Sequence, residues 1–247
     1  MKRILLFAAT VLLAVSCKKV TPGQQISKLS DYFGSHDNEF VAPLSQHEGD
    51  RRLDYLTLVL NRDLEAAEIW TLDTGGGTSL AAEFPGWKKD ETDQIVLVSA
   101  SLDDPTACAV ALDMLGTFKR HRVRLSHTVR LLFYDNAPDS LGRPGLEAVN
   151  REFRASEELI TFDLELSSSC DSIPSHTFIL EEKPVFAKQI MEALPPYFQQ
   201  LGNYKFVQGV YPNSAWPLKG SVYRYRIDPG DLPRETAAVA ALTLLLN

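Results

Sequence analysis

The sequence predicts an α/β fold in which helices cover both faces of an open, mostly parallel β-sheet. Strand-like and helix-like segments alternate along the chain, which is the pattern of such folds. Residues 95–98 are continuously apolar, as in a strand that is buried on both faces. Hydrophobic residues make up 45% and charged residues 23% of the 247 residues, a composition typical of a folded globular protein.

The first predicted elements are a helix and two strands. Residues 53–60 carry apolar side chains at helical spacing and follow a charged segment. Residues 68–72 alternate as a strand does, and three glycines at 75–77 then form a turn. A second strand at residues 79–84 ends at Pro85 and Gly86.

The central elements are two strands with a helix between them. The buried strand 95–98 precedes a helix at residues 106–118, which Asp104 or Thr106 is placed to cap. Pro105 suits the first turn of that helix. Residues 128–134 then form another strongly apolar strand.

The remaining elements continue the alternation to the end of the chain. Helices are predicted at residues 146–153, 184–194 and 232–246, and strands at 159–166 and 221–225. Ligands of open α/β sheets bind beyond the carboxyl ends of the strands. The loops after Val98, Tyr134 and Leu166 are therefore the expected location of a site.

The amino terminus has the features of an export signal. Lys2 and Arg3 precede an apolar run of twelve residues, which covers only ~18 Å of helix and is too short for a ~30 Å hydrocarbon core. Small or aliphatic residues precede Cys17, and the segment resembles a bacterial lipobox. The resemblance implies a signal peptide at 1–16 and lipidation of Cys17; the alternative is an ordinary secretory leader with a chance cysteine.

This leader predicts where the protein resides. Residues 17–28 would form the lipidated cysteine and a polar tether, and residues 29–247 one domain. The lipid anchor would hold that domain on a membrane of the bacterial cell envelope, on the periplasmic or surface side. A net charge of -7 disfavours nucleic acid as a partner.

Two further cysteines, Cys108 and Cys170, have two interpretations. An oxidising compartment would permit a disulfide between them. Alternatively, both are separate small hydrophobic side chains. Neither belongs to a recognisable nucleophile motif, and the chain contains no Gly-x-Ser-x-Gly elbow and no phosphate-binding loop.

Five segments carry a family resemblance through their order and spacing. They are TSLAAEFPG at 78–86, IVLVSA at 95–100, LDDPTACAVALDML at 102–115, TVRLLFYD at 128–135 and ITFDL at 160–164. Together they resemble the M28 family of zinc aminopeptidases, which includes the glutaminyl cyclases, from about residue 53 to the carboxyl terminus. The resemblance implies a three-layer, zinc-exopeptidase-like sandwich. It also implies two zinc ions and a glutamate that acts as general base on metal-bound water.

Five positions of this family pattern lack the side chain that the family has. Ser99 and Ser101 stand where the family has His-x-Asp. Ala137 and Pro138 replace the paired glutamates, and Ala215 replaces the last histidine. The resemblance therefore implies that both histidines, the ligand glutamate and the base are missing, so no catalytic residue is predicted.

Three aspartates occupy the remaining positions. Asp103 or Asp104 fills the place of the bridging aspartate, and Asp163 that of the second aspartate. Two carboxylates are fewer than the three or four ligands that zinc requires, so no metal is expected. Asp104 as a helix cap and Asp163 as a local hydrogen-bond acceptor are the simpler interpretations.

Three functional hypotheses follow. The first is a non-catalytic, peptidase-like lipoprotein whose cleft binds a peptide-like or glycan ligand or which acts as a scaffold for an envelope protein. The second is a metal-dependent aminopeptidase-type hydrolase that holds zinc through displaced ligands. Its candidate ligands are Asp103, Asp104, Asp139, Asp163, Asp171 and His176. The third is a purely structural envelope protein.

Overall fold

The structure is a computed structural model, and it describes only part of the chain. The described residues are 28–29, 31–33, 37–73, 77–87, 94–137, 149, 160–170, 172–181, 184–209 and 221–247. The predicted leader, Cys17 and almost all of the predicted tether lie outside them, as do Pro138, Asp139, Asp171 and Ala215. No helix in these ranges is both long enough and apolar enough to cross a membrane.

A sheet of eight strands forms the centre of the described structure. The strands are β1 Glu68–Asp73, β2 Thr78–Phe84, β3 Ile95–Ser101, β4 Thr128–Tyr134, β5 Ile160–Ser167, β6 Thr177–Glu181, β7 Lys205–Gln208 and β8 Ser221–Arg226. Their spatial order is β1-β2-β4-β3-β5-β8-β6-β7. The predicted α/β fold is confirmed.

The sheet is mixed, with a parallel centre. The strands β4, β3, β5 and β8 lie side by side and parallel, and β6 pairs parallel with β7. Antiparallel pairing joins β1 to β2, β2 to β4 and β6 to β8. All seven residues of β3 are buried, as its apolar sequence predicts for a central strand.

The helices whose bounds the structure describes pack mainly against one face of this sheet. They are α1 Val41–Gln46, α2 Asp50–Leu58, which a π-helical turn Val59–Asp63 extends, α3 Pro105–Arg120, α4 Pro184–Ala193, α5 Pro195–Phe198 and α6 Leu232–Leu246, preceded by a 3-10 turn Pro229–Asp231. The helices α3 and α6 pack on each other. Their apolar side chains share one hydrophobic core with alternate residues of β3, Val96, Val98 and Ala100. Of the helix predicted at residues 146–153, only Val149 is described, and it packs on the other face.

The opposite face of the sheet carries a smaller core and most of its polar side chains. Leu97 of β3 and Leu132 of β4 pack there with Val149. The same face presents the side chains of Ser99 and Asp163, because successive side chains of a strand alternate between faces.

The predicted elements within the described residues are present, and their ends move by at most three residues. One shift matters for function: β3 continues to Ser101 instead of ending at residue 98, which places Ser99 inside the sheet. The helices α1 and α5 and the strands β6 and β7 were not predicted. The strands β6 and β7 are only five and four residues long, and β7 is exposed at a sheet edge.

Candidate functional site

The described residues form a pocket of about 230 Å³ at the carboxyl ends of the parallel strands. Ser101 ends β3, Tyr134 ends β4 and Ser167 ends β5, and β8 next to them contributes Arg224 and Tyr225 near its own end. The full lining is Ser101, Asp103, Asp104, Tyr134, Asn136, Glu165, Leu166, Ser167, Ser169, Cys170, Ile173, Arg224 and Tyr225. This is the edge at which ligands of open α/β sheets bind.

Asp104 caps α3 and fastens the loop after β5. Its Oδ1 accepts hydrogen bonds from the backbone N–H of Ala107 at 2.9 Å and from the Ser168 hydroxyl at 2.7 Å. Its Oδ2 accepts the backbone N–H of Ser168 at 2.5 Å. The carboxylate is buried and lies at the positive end of the helix dipole. Both oxygens of Asp104 therefore have partners from the chain itself.

Asp103, the neighbouring aspartate, is exposed on the rim of the pocket. The Asn136 amide donates to the Ser101 hydroxyl at 2.6 Å and to Asp103 Oδ2 at 3.3 Å. The backbone N–H of Asp103 donates to Ser101 Oγ at 3.1 Å. These bonds fix a hydroxyl, an amide and a carboxylate beside one another at the end of β3.

Glu165 and Arg224 form the charged wall of the pocket. Arg224 Nε donates to Glu165 Oε2 at 2.9 Å, and Arg224 Nη1 lies 3.2 Å from Glu181 Oε1 on β6. The Tyr134 hydroxyl is 3.5 Å from Glu165 Oε1. A guanidinium on β8 thus bridges carboxylates on the two strands that flank it, β5 and β6.

Asp163 lies deeper in the sheet and is not part of the pocket lining. The Ser99 hydroxyl donates to its Oδ1 at 2.8 Å, while its buried Oδ2 has no hydrogen-bond partner among the described atoms. Burial raises the pKa of Asp163 to about 7, with Glu165 contributing in the same direction. Glu165, two residues further along β5, reaches the pocket instead.

The loop between β5 and β6 closes one side of the pocket and is fastened at both ends. Asp104 holds its start through Ser168. At its end, the backbone oxygen of His176 accepts a hydrogen bond from the N–H of Lys205 at 2.9 Å, and His176 Nε2 lies 3.1 Å from Glu235 Oε1. Glu235 is buried in α6 and accepts a hydrogen bond from the Tyr225 hydroxyl; burial raises the pKa of Glu235 to about 7.

The structure separates the residues that the family resemblance aligned with the metal site. Ser101, Asp103 and Asp104 line the pocket, whereas Ser99 and Asp163 are buried behind it. Ala137 follows β4, and its backbone N–H donates to Asp135 Oδ1 at 2.7 Å. His176 contacts α6 and is not among the lining residues.

The described side chains do not fit zinc. Within these ranges, no group of three or more His, Cys, Asp or Glu side chains is arranged to hold a metal ion. The pocket carboxylates of Asp104 and Glu165 are already bonded by donors of this chain. A zinc ion would need to displace these donors from partly buried carboxylates, and no described histidine would compensate.

The cysteines Cys108 and Cys170 are both free, so the disulfide interpretation is wrong. Cys108 is fully buried in α3, near the backbone oxygen of Ser101. Burial raises the pKa of its thiol well above the usual range. Cys170 is partly exposed and lines the pocket, so only Cys108 behaves as the buried small side chain that the alternative described.

Several side chains of the site were not singled out from the sequence. They are Asn136, Glu165, Arg224 and Glu235. The pattern Asp-Leu-Glu in β5 does contain a signal, since residues two apart share a face and the later one lies nearer the carboxyl end. The Arg224 pairing joins strands far apart in sequence and has no local signal.

Comparison with known proteins supports the fold from structure alone. No family model and no curated protein matches the sequence. A peptidase M28 precursor from Shewanella amazonensis matches 69% of this chain with 17% identity and a TM-score of 0.51, and this chain spans only 44% of it. A Zn-dependent exopeptidase from Parabacteroides distasonis matches 88% of this chain and 97% of its own, with 11% identity and a TM-score of 0.58.

A third solved structure is also similar to this chain. The glutaminyl cyclase of Macrostomum lignano matches 88% of this chain and 90% of its own, with 11% identity and a TM-score of 0.57. The class of fold is therefore that of the zinc-dependent exopeptidases. Within it, the similar structures include M28 peptidases and a glutaminyl cyclase, as the sequence resemblance predicted. Identities this low establish the fold and leave the activity to the site itself.

Proposed function

We propose that this protein is a non-catalytic, peptidase-like lipoprotein of the bacterial cell envelope whose pocket binds a ligand. The proposal rests on the hydrogen bonds and the ion pair that the pocket carboxylates already make within the chain. Asp104 accepts three hydrogen bonds from Ala107 and Ser168, and Glu165 is paired with Arg224. These oxygens serve the architecture of the pocket and are not presented to a metal ion.

The charge of Arg224 supports the same proposal. A hydrolase of this fold would use metal cations to lower the pKa of an attacking water. Here a guanidinium lies beside Glu165 and Glu181 instead, and it has no proton to exchange near neutral pH. Arg224 neutralises carboxylate charge in the pocket wall but supplies neither a base nor a nucleophile.

The pocket favours a binding role over a purely structural one. Its lining includes hydroxyl, amide and carboxylate groups at the carboxyl ends of three adjacent strands. Hydrogen bonds within the chain fix several of these groups in place, as in a site that is formed before its ligand arrives. The predicted lipidation of Cys17 would hold this pocket at a membrane surface.

Metal content tests the proposal most directly. The full chain, purified in detergent, is loaded with zinc, desalted and analysed for metal by mass spectrometry. The expected result is no retained zinc and no zinc-dependent rise in melting temperature. Zinc at one or two equivalents would support the displaced-ligand hydrolase and overturn the proposal, and an aminopeptidase assay on the loaded protein would then follow.

A further inference from the structure

We propose that the pocket at the carboxyl ends of β3, β4, β5 and β8 binds one ring of an uncharged sugar. The inference rests on the proposed function and deepens it by naming the ligand class. It depends on the kinds of hydrogen-bonding groups in the lining, on their charge balance and on the size of the space.

Hydroxyl groups are frequent in the polar lining, where Ser101, Ser167, Ser169 and Tyr134 each contribute one. Ser101 and Ser167 already accept hydrogen bonds from the chain and can still donate, whereas Tyr134 donates to Glu165 and can still accept. Sugar hydroxyls both donate and accept hydrogen bonds, so each can pair with such groups in either direction. A ligand with only donors or only acceptors would leave part of this lining unsatisfied, which is costly in a partly closed site.

The pair Asp103 and Asn136 suits adjacent ring hydroxyls. The carboxylate oxygen accepts and the amide both donates and accepts, and the two groups are held 3.3 Å apart. Two neighbouring hydroxyls of a sugar can donate to Asp103 and to the Asn136 amide oxygen, because the amide hydrogens of Asn136 are already directed at Ser101 and Asp103. Ser101, which accepts from both Asn136 and the Asp103 backbone, fixes this arrangement before a ligand enters.

The charges of the lining argue against an anionic ligand. Three carboxylates, those of Asp103, Asp104 and Glu165, face one guanidinium, that of Arg224. Arg224 already bridges Glu165 and Glu181. A phosphate, sulfate or sugar acid would enter a field of the same sign as its own charge.

A cationic ligand is also poorly matched, although the net charge of the lining is negative. Asp104 is committed to Ala107 and Ser168, and Glu165 to Arg224. Asp103 is exposed to solvent, where an ion pair contributes little. One screened carboxylate does not replace the hydration shell that an ammonium group would lose.

Size and apolar surface complete the match to a single ring. The volume of about 230 Å³ lies below the ~300–1,000 Å³ of sites that hold drug-sized molecules, so the pocket has room for about one ring. Ile173 and the ring of Tyr134 each keep a small exposed part on the lining. The C–H face of a sugar ring can pack against them while its hydroxyls meet the polar side.

The test is ligand-observed NMR on the full chain in detergent. The probes are glucose, galactose, mannose, N-acetylglucosamine and N-acetylgalactosamine, each free and as its methyl glycoside. Glucuronate and leucinamide represent an anionic and a cationic ligand. We expect saturation transfer to at least one neutral sugar with a dissociation constant of about 1–10 mM. A preference for the methyl glycoside would identify the end of a glycan as the source of the ring.

Variants locate the binding in the pocket. Asn136→Ala and Ser169→Ala each remove one polar group of the lining and should weaken binding about fivefold or more. Asn61→Ala and Ser45→Ala are matched controls, because both residues are exposed and lie outside the lining. Thermal melts confirm that all four variants are folded, and unchanged sugar binding in both pocket variants would overturn the inference.

The remaining outcomes separate this inference from the function on which it rests. Binding of leucinamide or glucuronate without any neutral sugar would overturn the ligand class but leave a metal-free binding pocket. No binding of any probe would overturn the sugar inference, while the metal measurement would still stand on its own. Retained zinc would overturn both.

Discussion

Asp104 and Asp103 are adjacent carboxylates with different partners, and replacing each with alanine should affect stability differently. Replacing Asp104 with alanine removes the cap of α3, which is worth about 1 kcal/mol, and a favourable charge at the helix amino terminus, worth about 0.3–1 kcal/mol. It also leaves the Ser168 N–H without its acceptor in a partly buried place. An orphaned buried donor costs about 1–3 kcal/mol.

The sum of these effects predicts a loss of about 2–5 kcal/mol of unfolding free energy for Asp104→Ala. For a domain of this size, the melting temperature should fall by about 5–20 °C. Asp103→Ala is the matched control. Its carboxylate is exposed and accepts one hydrogen bond, at 3.3 Å, so the change should stay within about 0.5 kcal/mol.

The assay is thermal and denaturant unfolding of both variants with and without zinc. Equal destabilisation by the two substitutions, or a silent Asp104→Ala, would refute the capping argument. Stabilisation of the wild type by zinc that is lost in Asp104→Ala would refute the argument in a second way, because it would make Asp104 a metal ligand. Without such stabilisation, the difference between the neighbours reports the helix cap and the loop tether alone.

Four further outcomes are expected. Burial raises the pKa of Asp163 to about 7, above an unfolded value of ~3.9, so its contribution to stability is lost as pH rises between those values. Asp163→Asn should therefore melt at a higher temperature than the wild type near pH 8 and lose that advantage near pH 4. A difference in melting temperature that does not change with pH would contradict this. Arg224→Met should lower the unfolding free energy by about 2 kcal/mol, because Glu165 and Glu181 lose their cation. Replacing both glutamates with glutamine in the same variant should restore part of this free energy, as measured in denaturant melts. In a thiol titration, Cys170 should react in the native protein and Cys108 only after unfolding; fast reaction of Cys108 would contradict its burial. Cys17→Ala should abolish incorporation of radiolabelled palmitate and release the protein from the membrane fraction, whereas unchanged labelling would place the lipid elsewhere.

The sequence predicted the central elements because their signals are local. The continuous apolar run of β3 and the Asp104-Pro105 start of α3 are read from a few adjacent residues, and both are present. The strands β6 and β7 were missed because they are short. In the sheet, β6 pairs with β8 and β7 pairs with β6, and the sequence of neither strand reveals its partner.

The site was predicted less completely than the fold. The resemblance directed attention to Asp163, but β5 continues beyond this residue to Ser167. Asp163 therefore lies behind the pocket, and Glu165 reaches the edge. Because residues two apart in a strand share a face, the sequence predicts that Glu165 lies nearer the edge than Asp163 once the end of the strand is known. The partnership of Glu165 with Arg224 depends on the register between β5 and β8, so it becomes visible only in three dimensions.

Arg224 also changes how the pocket depends on its surroundings. The occupancy of a bound metal follows the concentration of that metal, so a protein that needs one loses function when chelators or competing proteins deplete it. The guanidinium of Arg224 is covalently part of the chain, so its positive charge is present in every folded molecule and does not depend on binding from solution. If the proposed function is right, the charge balance of this pocket is the same in metal-poor and metal-rich environments, and ligand binding makes no demand on the zinc supply of the cell.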